Sequence, residues 1–541
     1  MRVILGIRGS TTLTTSGWRA ALALGSGAAL ALAYPDYNLP LLGWVAVAGL
    51  MFCSLGAGLR QAAACGLLFG LTFYTLTLPW IYTVLREYGP LPAWQAAALL
   101  ILLALAASVF CAFFAALLAW LSRRSERLAL VAAPFLWVAL EFLRTHLPDI
   151  GFPWNLLGYT ASGNMALLQI TSLTGVYGLS LLVAAYNALL VWFLLSIRGS
   201  MSRPNARPLA TLPTSLWIAA TVTLIAVSAF GAPFVPKAEP THVAHLVQTN
   251  LPQSMNYRPD WDAVHAADME ELQRITTAAG QARPGLVVWP EVPAPFSLQE
   301  AAFAERAARI ARESQSHFLL GIVHWRPFAG RLRPFNSAAL LDPAGRESFV
   351  YDKIHLVPFS EYIPGRDWLW FASDLTALVS DFSSGTQYAV GQLPGGRLSV
   401  VICYEAIFPD LVRRFVREGA ELLINVSNDG WFGRSSARAQ HLAMARVRAV
   451  ENRRWLLRGT NTGHTVSVDP YGRIVARLPP DVRGVLEAPY AFRSDTTLYT
   501  RWGDWVAWLS AGVTLALLLA ARRSESKVPA GASNKYKGRN K

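Results

Sequence analysis

The chain is dominated by uninterrupted apolar runs, seven of which precede residue 237. Because a bilayer core about 30 Å thick requires about 20 apolar residues in each helix that crosses it, such runs predict membrane spans. Only 15% of the residues are charged, whereas soluble domains have about 25%. We place the seven predicted spans at about residues 17–34, 40–57, 61–83, 91–121, 130–144, 169–197 and 214–233, and an eighth at about residues 504–521.

Positive charges alternate between the loops that join these runs. Arginines lie before the first run and between the second and third, the fourth and fifth, and the sixth and seventh, and a basic tail follows the eighth. The other loops, at 35–39, 86–90 and 145–164, hold few positive charges. Since cytoplasmic loops are enriched in Lys and Arg, both termini are expected in the cytoplasm and residues 237–497 outside it. A signal peptide cleaved near Ala33 is an alternative that leaves the side of this segment unchanged.

Residues 237–497 alternate between strand and helix patterns, which is typical of an α/β layered domain. Strands are expected at 242–248, 285–289, 318–323, 398–403 and 422–426, and helices at about 260–280, 299–314, 410–418 and 436–452. Hairpins are expected to join 336–341 to 347–354 and 465–468 to 473–478. The expected organisation is therefore a membrane domain of seven spans at 1–236, an α/β domain at 237–497, a C-terminal span at 498–524, and a basic, disordered tail at 525–541.

Three segments of the α/β domain carry a reactive side chain at or near a strand pattern. Glu291 ends the sequence Val-Val-Trp-Pro-Glu, Lys353 ends Tyr-Asp-Lys and is followed by Pro-Phe-Ser-Glu at 358–361, and Cys403 begins Cys-Tyr-Glu after Val-Val-Ile. Loops at strand ends assemble sites on rigid supports, so these residues are expected to meet. The other three cysteines lie in apolar runs and are expected to be inert packing residues: Cys53, Cys65 and Cys111.

The three residue types suit nucleophilic catalysis. A thiol of pKa about 8.5 is nucleophilic only as the thiolate, so a carboxylate that takes its proton is needed, and Glu291 is the candidate base. Attack on a carbonyl creates an oxyanion, for which Lys353 supplies a fixed cation, helped by the backbone N–H of Tyr404. Glu405, two residues after the nucleophile, is expected to hold Lys353 in position.

These segments, in this order, resemble the Glu-Lys-Cys triad of the nitrilase superfamily. With seven predicted spans before the α/β domain and one after it, the chain resembles the apolipoprotein N-acyltransferase family, the membrane-embedded branch of that superfamily, over nearly its whole length. The resemblance implies an α-β-β-α sandwich for the α/β domain. It also implies catalytic roles for Glu291, Lys353 and Cys403, and supporting roles in the active site for Glu361, Tyr404 and Glu405.

What the resemblance implies about function is acyl transfer in two steps. Cys403 would take a fatty acyl group from a phospholipid, with phosphatidylethanolamine as the expected donor, to form a thioester. The α-amine of a diacylglyceryl-modified N-terminal cysteine on an apolipoprotein would then accept the acyl group. The implied enzyme is a monomer in the bacterial inner membrane, with its catalytic domain in the periplasm. It needs no metal or cofactor. Nucleic-acid binding is not expected, because the net charge of +14 comes from short loops between the apolar runs and from the tail.

Several alternatives stay open at this point. The same triad would serve a membrane-tethered amidase or nitrile hydrolase, and a lipid transporter with a degenerate α/β domain is a further hypothesis. His355 would be the base if this were a Cys–His thiol enzyme. Trp261 would line an entrance for the acyl chain or simply pack in an interface. Trp431, in the polar segment 425–433, would touch substrate or belong to a structural turn.

Overall fold

The computed structural model describes residues 17–89, 91–201, 212–253, 260–292, 294, 296–328, 330–364 and 382–526. The tail expected at 525–541 therefore lies almost entirely outside the described residues. Helices occupy all seven positions predicted before residue 237. The described helices before residue 237 are α1 Gly17–Leu32, α2 Gly43–Ser54, α3 Leu59–Thr77, α4 Pro79–Glu87, α5 Ala93–Ser122, α6 Glu126–Thr145, α7 Met165–Leu168, α8 Thr171–Met201 and α9 Leu212–Phe230. Helices α3 and α4 share one predicted position, and the short α7 lies outside all seven.

Fewer described helices are suited to crossing a bilayer than the eight predicted. Five are long and apolar enough on their own: α5, α6, α8, α9 and the C-terminal helix Trp505–Ser526. A sixth is obtained when α3 and α4 are counted as one span bent by 50°. The bend follows from Pro79, which disfavours helical backbone at Leu78 and cannot donate a helical hydrogen bond. As described, α1 and α2 have 16 and 12 residues, which is short for a straight span.

Residues 242–490 form two six-stranded sheets. The twelve strands are β1 His242–Gln248, β2 Leu286–Val288, β3 His317–Phe328, β4 Arg331–Leu341, β5 Glu347–Asp352, β6 Gly391–Leu393, β7 Gly396–Ile402, β8 Leu422–Ser427, β9 Trp455–Thr460, β10 Thr465–Val468, β11 Ile474–Leu478 and β12 Gly484–Tyr490. The strand orders are β12-β1-β2-β3-β4-β5 and β11-β10-β9-β8-β7-β6. All the strands and both hairpins expected from the sequence are confirmed, whereas β6, β9 and β12 were missed.

The helices of this domain cover the outer faces of the sheets. They are α10 Trp261–Val264, α11 Ala266–Ala282, α12 Ala301–Ser314, α13 Pro409–Arg417 and α14 Ala437–Asn452. After the last strand come the short α15 Leu498–Trp502 and the apolar C-terminal helix α16 Trp505–Ser526. Phe318 and Leu320 share a core with Ile310 of α12. Leu319, between them, belongs instead to the core that contains Ile424 of the second sheet. Since side chains alternate between the faces of a strand, this pattern gives the layers α-β-β-α, and the expected fold is confirmed.

Helix α14 joins the α/β domain to the helical domain. Gln440, which is 2% exposed, accepts a hydrogen bond at Oε1 from Trp154 Nε1 at 2.7 Å. Its Nε2 donates to the carbonyl oxygens of Pro35 at 2.9 Å and Thr77 at 3.2 Å. One buried amide therefore connects α14 to three separate parts of the helical domain.

We expect Gln440→Leu to lower the thermal unfolding midpoint of the purified protein. The substitution leaves the Trp154 N–H and two carbonyl oxygens buried without their partner, and each such group costs about 1–3 kcal/mol. The measurement is thermal unfolding in detergent, followed by tryptophan fluorescence. Gln281→Leu, at an exposed position of α11, is the matched control. Equal midpoints for the two variants would contradict the importance of this contact.

Candidate active site

Lys353 follows β5 directly and is enclosed by two carboxylates. Its Nζ lies 3.2 Å from Glu291 Oε1 and 2.9 Å from Glu361 Oε1. Asn336, on the neighbouring strand β4, donates from Nδ2 to the same two oxygens at 2.8 Å each. The exposed fraction of these side chains ranges from 1% for Lys353 to 9% for Glu361. The structure thus brings three predicted residues into one buried cluster and adds Asn336, which the sequence analysis missed.

Cys403 begins the turn Cys403–Ile407 immediately after β7. Its φ of +48° lies in the left-handed region, where a residue with a side chain is strained. Nucleophiles of other hydrolase folds lie on strained turns of this kind, between a strand and a helix. Cys403 is 7% exposed, so its thiol is held inside the domain.

Glu291 and Lys353 both act on the Cys403 thiol. Burial raises the pKa of the Cys403 thiol, the Glu291 carboxylate raises it further, and the Lys353 ammonium opposes them; the net shift is upward. Burial would lower the pKa of Lys353, but the carboxylates of Glu291 and Glu361 raise it above its usual range. The shifts therefore favour a protonated thiol at Cys403 and a cation at Lys353 near neutral pH.

Glu405 binds backbone rather than the Lys353 ammonium. Its Oε1 accepts from the N–H groups of Ile354 and His355 at 2.8 and 3.0 Å, and its Oε2 accepts from the N–H of Ile402 at 2.8 Å. Glu405 therefore ties the segment after Lys353 to the end of β7. Glu361, rather than Glu405, forms an ion pair with the Lys353 ammonium, and whether Glu405 holds Lys353 in position through the segment that follows it stays a prediction.

We expect Glu405→Gln to change how stability depends on pH. Burial raises the pKa of Glu405 from 4.5 to about 7, against the hydrogen bonds that lower it. A carboxyl whose pKa is higher in the folded state loses stability as pH rises from about 4.5 to about 7. Because glutamine does not titrate, the Glu405→Gln variant should lack this contribution to the loss of stability with rising pH. The variant should also be less stable by about 1–3 kcal/mol, because the side-chain NH₂ group of glutamine is a donor and would face a backbone N–H, which is also a donor.

The measurement is the thermal midpoint of the wild type and of Glu405→Gln between pH 4.5 and 7. Glu313→Gln, at an exposed position of α12, is the matched control and should keep the wild-type slope. Parallel curves for the wild type and Glu405→Gln would contradict the assignment.

A second buried polar cluster supports the turn at Cys403. His441 Nε2 lies 3.1 Å from the Cys403 carbonyl oxygen, and its Nδ1 lies 3.2 Å from Arg458 Nη2. Arg458 Nη2 also binds both carboxylate oxygens of Asp429 at 2.8 Å. Burial, with Arg458, lowers the pKa of His441. A neutral His441 that accepts at Nδ1 donates from Nε2 to the nucleophile's carbonyl. A signal for this cluster was present in the sequence, since Arg458 interrupts the apolar strand β9.

Tyr404 and His355 lie side by side at the edge of the site. The Tyr404 ring is 5.2 Å from that of Phe408, and its hydroxyl donates to the carbonyl oxygen of Gly151 at 3.5 Å. The His355 ring lies 3.8 Å from the Phe408 ring. Burial lowers the pKa of His355 to about 4. His355 therefore packs on an aromatic ring, whereas the charge of Glu291 acts on the Cys403 thiol.

The two tryptophans predicted to contact substrate lie in different surroundings. Trp261 is 7% exposed, with its ring 4.7 Å from His265 and 5.9 Å from Phe296 in the outer core of the first sheet. Trp431 follows β8 and lies 5.2 Å from the ring of Tyr88 on the helical domain. Substrate contact by either residue stays a prediction.

Sequence comparison identifies relatives of both halves of the chain. The family described as apolipoprotein N-acyltransferase N-terminal domain matches residues 26–189, and the family described as carbon-nitrogen hydrolase matches residues 246–492. The apolipoprotein N-acyltransferase of Geobacter metallireducens is 38% identical over 509 residues, which cover 93% of this chain and 95% of the relative. That of Azotobacter vinelandii is 34% identical over 537 residues, which cover 96% of this chain and 98% of the relative.

The chain is also similar to solved structures that cover about half of its length. An amidase from Nesterenkonia sp. is 19% identical with a TM-score of 0.36, covering 49% of this chain and 94% of the amidase. Nit3 of Saccharomyces cerevisiae, a member of the nitrilase superfamily, is 18% identical with a TM-score of 0.35, covering 54% of this chain and 96% of Nit3.

The two family matches fall on the two halves that the fold separates, namely the apolar helices and the two-sheet sandwich. The Geobacter and Azotobacter relatives, which match over nearly their full length, carry the same name. The chain therefore belongs to the apolipoprotein N-acyltransferase family and is an acyltransferase with a nitrilase-like domain.

Proposed function

We propose that this protein transfers a fatty acyl group from a phospholipid to the N-terminal diacylglyceryl-cysteine of apolipoproteins, through a thioester on Cys403. One observation carries the proposal. The buried thiol of Cys403 interacts electrostatically with both members of the Glu291–Lys353 ion pair, and the residue that follows it, Tyr404, contacts the loop of the helical domain at Gly151.

The surroundings of the nucleophile support a lipid donor. His441, which binds the Cys403 carbonyl, has its ring 6.0 Å from that of Trp154 and 5.8 Å from that of Phe432. Trp80, on α4, joins the same group, with its ring 4.8 Å from Trp154 and 5.2 Å from Phe432. An aromatic layer therefore separates the nucleophile's turn from the apolar helices. The rings of Trp80, Trp154 and Phe432 are buried, from 1% exposed for Trp154 to 9% for Phe432, so the surroundings of the nucleophile's turn on this side are apolar, which suits a substrate with a hydrocarbon chain.

The contacts between the two domains support a periplasmic α/β domain. The three loops with few positive charges all contact it: Pro35 binds Gln440, Tyr88 donates to the Gly430 carbonyl oxygen at 2.7 Å, and Gly151 accepts from Tyr404. Loops that are poor in Lys and Arg face away from the cytoplasm. We therefore infer an inner-membrane enzyme whose catalytic domain is periplasmic and whose termini are cytoplasmic.

The first step forms the thioester. Glu291 takes the proton of the Cys403 thiol as the sulfur attacks the ester carbonyl of the phospholipid, and Lys353 stabilises the oxyanion. When the intermediate collapses, the C–O bond to glycerol breaks. Glu291 then returns the proton to the leaving oxygen, which releases a lysophospholipid.

The second step moves the acyl group to an amine. The α-amine of the acceptor cysteine attacks the thioester carbonyl, and Glu291 accepts a proton from this amine. The C–S bond breaks and the sulfur regains a proton, which restores the resting thiol. The reaction proceeds toward the amide because an amide is more stable than a thioester.

A membrane-tethered amidase with the same triad is the second candidate. The experiment that separates the two uses purified enzyme in liposomes, a phospholipid labelled in its acyl chain, and a diacylglyceryl-cysteine peptide. Our proposal predicts a labelled N-acyl peptide together with lysophospholipid in equal amount. Release of the label only as free fatty acid, or hydrolysis of small amides with no acyl transfer, would favour the amidase.

A further inference from the structure

The two carboxylate oxygens of Glu291 differ in how many hydrogen bonds they accept. A carboxylate oxygen carries two lone pairs. Glu291 Oε1 accepts from Asn336 Nδ2 at 2.8 Å and from Lys353 Nζ at 3.2 Å, so both of its lone pairs are engaged. Within the described part of the chain, Oε2 accepts only from the backbone N–H of Asn428, at 2.9 Å. Oε2 is therefore the oxygen with a lone pair left to receive a proton.

The side chain of Asn428, which is 1% exposed, is held by four hydrogen bonds. Its Nδ2 donates to Gln253 Oε1 at 2.6 Å and to the Val292 carbonyl oxygen at 3.3 Å. Its Oδ1 accepts from Asn461 Nδ2 at 3.2 Å and from the backbone N–H of Gly430 at 3.3 Å. These bonds fix the direction in which the backbone N–H of Asn428 points toward the base.

The segment that follows β8 contacts the helical domain. We call residues 428–432 the β8 turn. Tyr88, which follows α4, donates from its hydroxyl to the Gly430 carbonyl oxygen at 2.7 Å. Near the start of α4, the ring of Trp80 lies 5.2 Å from the ring of Phe432. Both ends of α4 therefore hold the β8 turn.

Gly430 connects the helical domain to the base. Its carbonyl oxygen accepts from Tyr88, and its N–H donates to the side chain of Asn428. The N–H of Asn428 in turn donates to Glu291 Oε2. A chain of hydrogen bonds thus runs from the end of α4 to the oxygen that has a free lone pair.

We propose that Glu291 Oε2 is the atom that takes the thiol proton, and that Tyr88 positions this oxygen through the β8 turn. The proposal rests on the role given to Glu291 in the proposed function. In the step, the S–H bond of Cys403 breaks, the proton moves to Oε2, and the electron pair left on sulfur forms the bond to the carbonyl carbon. Tyr88 is a positioning residue in this step, because its hydroxyl binds the turn that orients the base. The α/β domain is then fully active only while α4 holds the β8 turn.

The test is a double-mutant cycle of Tyr88→Phe and Glu291→Gln in the full chain. Phenylalanine keeps the ring, which lies 5.2 Å from that of Trp431, and removes only the hydroxyl. Effects of independent positions add, whereas effects of positions that act through each other do not. Tyr82→Phe, the same change within α4, is the matched control.

Two rates are measured for each chain of the cycle. One is the single-turnover release of lysophospholipid in liposomes. The other is alkylation of Cys403 by iodoacetamide in detergent without phospholipid, which needs the same loss of the thiol proton but no lipid substrate. The other three cysteines are replaced by alanine in every chain, so that only one thiol reacts: Cys53, Cys65 and Cys111.

The proposal predicts that Tyr88→Phe slows both reactions about 3- to 10-fold, as expected for loss of one neutral hydrogen bond. In the Glu291→Gln chain the same substitution should have almost no further effect. Asn428→Ala, which removes the link between the turn and the base, should show the same dependence on Glu291. Tyr82→Phe should keep both rates.

Three results would overturn the positioning role. They are wild-type rates for Tyr88→Phe, an equal slowing by Tyr88→Phe with and without Glu291→Gln, and a Tyr82→Phe variant as slow as Tyr88→Phe. Alkylation rates that show the predicted dependence on Glu291, without release of lysophospholipid by the wild type, would overturn the proposed function and leave the positioning role standing. A wild-type alkylation rate for Glu291→Gln would overturn both.

Discussion

Glu291→Gln is expected to slow formation of the Cys403 acyl-enzyme by about 10²- to 10⁴-fold, the usual contribution of a positioned general base. The reason is the upward pKa shift of the Cys403 thiol, which leaves very little thiolate at neutral pH unless a base takes the proton during attack. The measurement is single-turnover acylation in liposomes, followed by the release of lysophospholipid. Glutamine has nearly the same volume and keeps one acceptor for Asn336.

Two controls make this result specific. Glu313→Gln makes the same chemical change at an exposed position and should leave the rate unchanged. The thermal midpoint of Glu291→Gln reports any loss of stability. If the side-chain oxygen of the glutamine faces Lys353, its NH₂ group faces the backbone N–H of Asn428, and two hydrogen-bond donors then oppose each other. An acylation rate close to that of the wild type would remove Glu291 as the base.

Lys353→Met is expected to remove both catalysis and part of the stability. Loss of one charged donor to a developing oxyanion costs about 10²- to 10³-fold in rate. The substitution also leaves Glu291 and Glu361 buried with no cation between them, and breaking a buried ion pair from one side costs about 3–5 kcal/mol. The thermal midpoint should therefore fall at neutral pH and recover partly at lower pH, where a proton replaces the lost charge.

Lys237→Met, at an exposed position, is the matched control for loss of a lysine. Lys353→Arg separates the two effects of the ammonium. Compared with Lys353→Met, it should recover more of the thermal stability than of the acylation rate. Arginine keeps the positive charge, but its guanidinium does not place a nitrogen where the Lys353 ammonium lies. A Lys353→Met variant with wild-type stability would contradict the charge cluster, and one with wild-type acylation would contradict the role of Lys353 at the oxyanion.

The pairing of Glu291 with Lys353, and their electrostatic effect on Cys403, were predictable because they depend on chain order and strand ends. Each residue follows a strand pattern, and parallel strands bring their carboxyl ends to one edge. The partners of each group were less predictable. The hydrogen bonds of Glu405 depend on which way three N–H groups face, and Asn336 is an ordinary residue within a strand pattern until its neighbours are known.

The helical half of the chain was also predictable only in part. Apolar runs located the long helices that precede residue 237, since hydropathy depends only on composition. The number of spans was not fixed in this way, because the break at Leu78 and the short helix α2 are set by local backbone preference and packing. The contact of Gln440 with three segments is a tertiary feature, for which the sequence contains no local signal.

The thioester on Cys403 is tested by intact-mass analysis of the purified protein after incubation with phospholipid and no acceptor. We expect a mass increase of one fatty acyl chain, which disappears when the diacylglyceryl-cysteine peptide is added. The same adduct should form when Cys53, Cys65 and Cys111 are all replaced by alanine, and it should be absent from Cys403→Ala. An adduct on Cys403→Ala, or none on a wild-type protein that transfers acyl groups, would contradict the thioester mechanism.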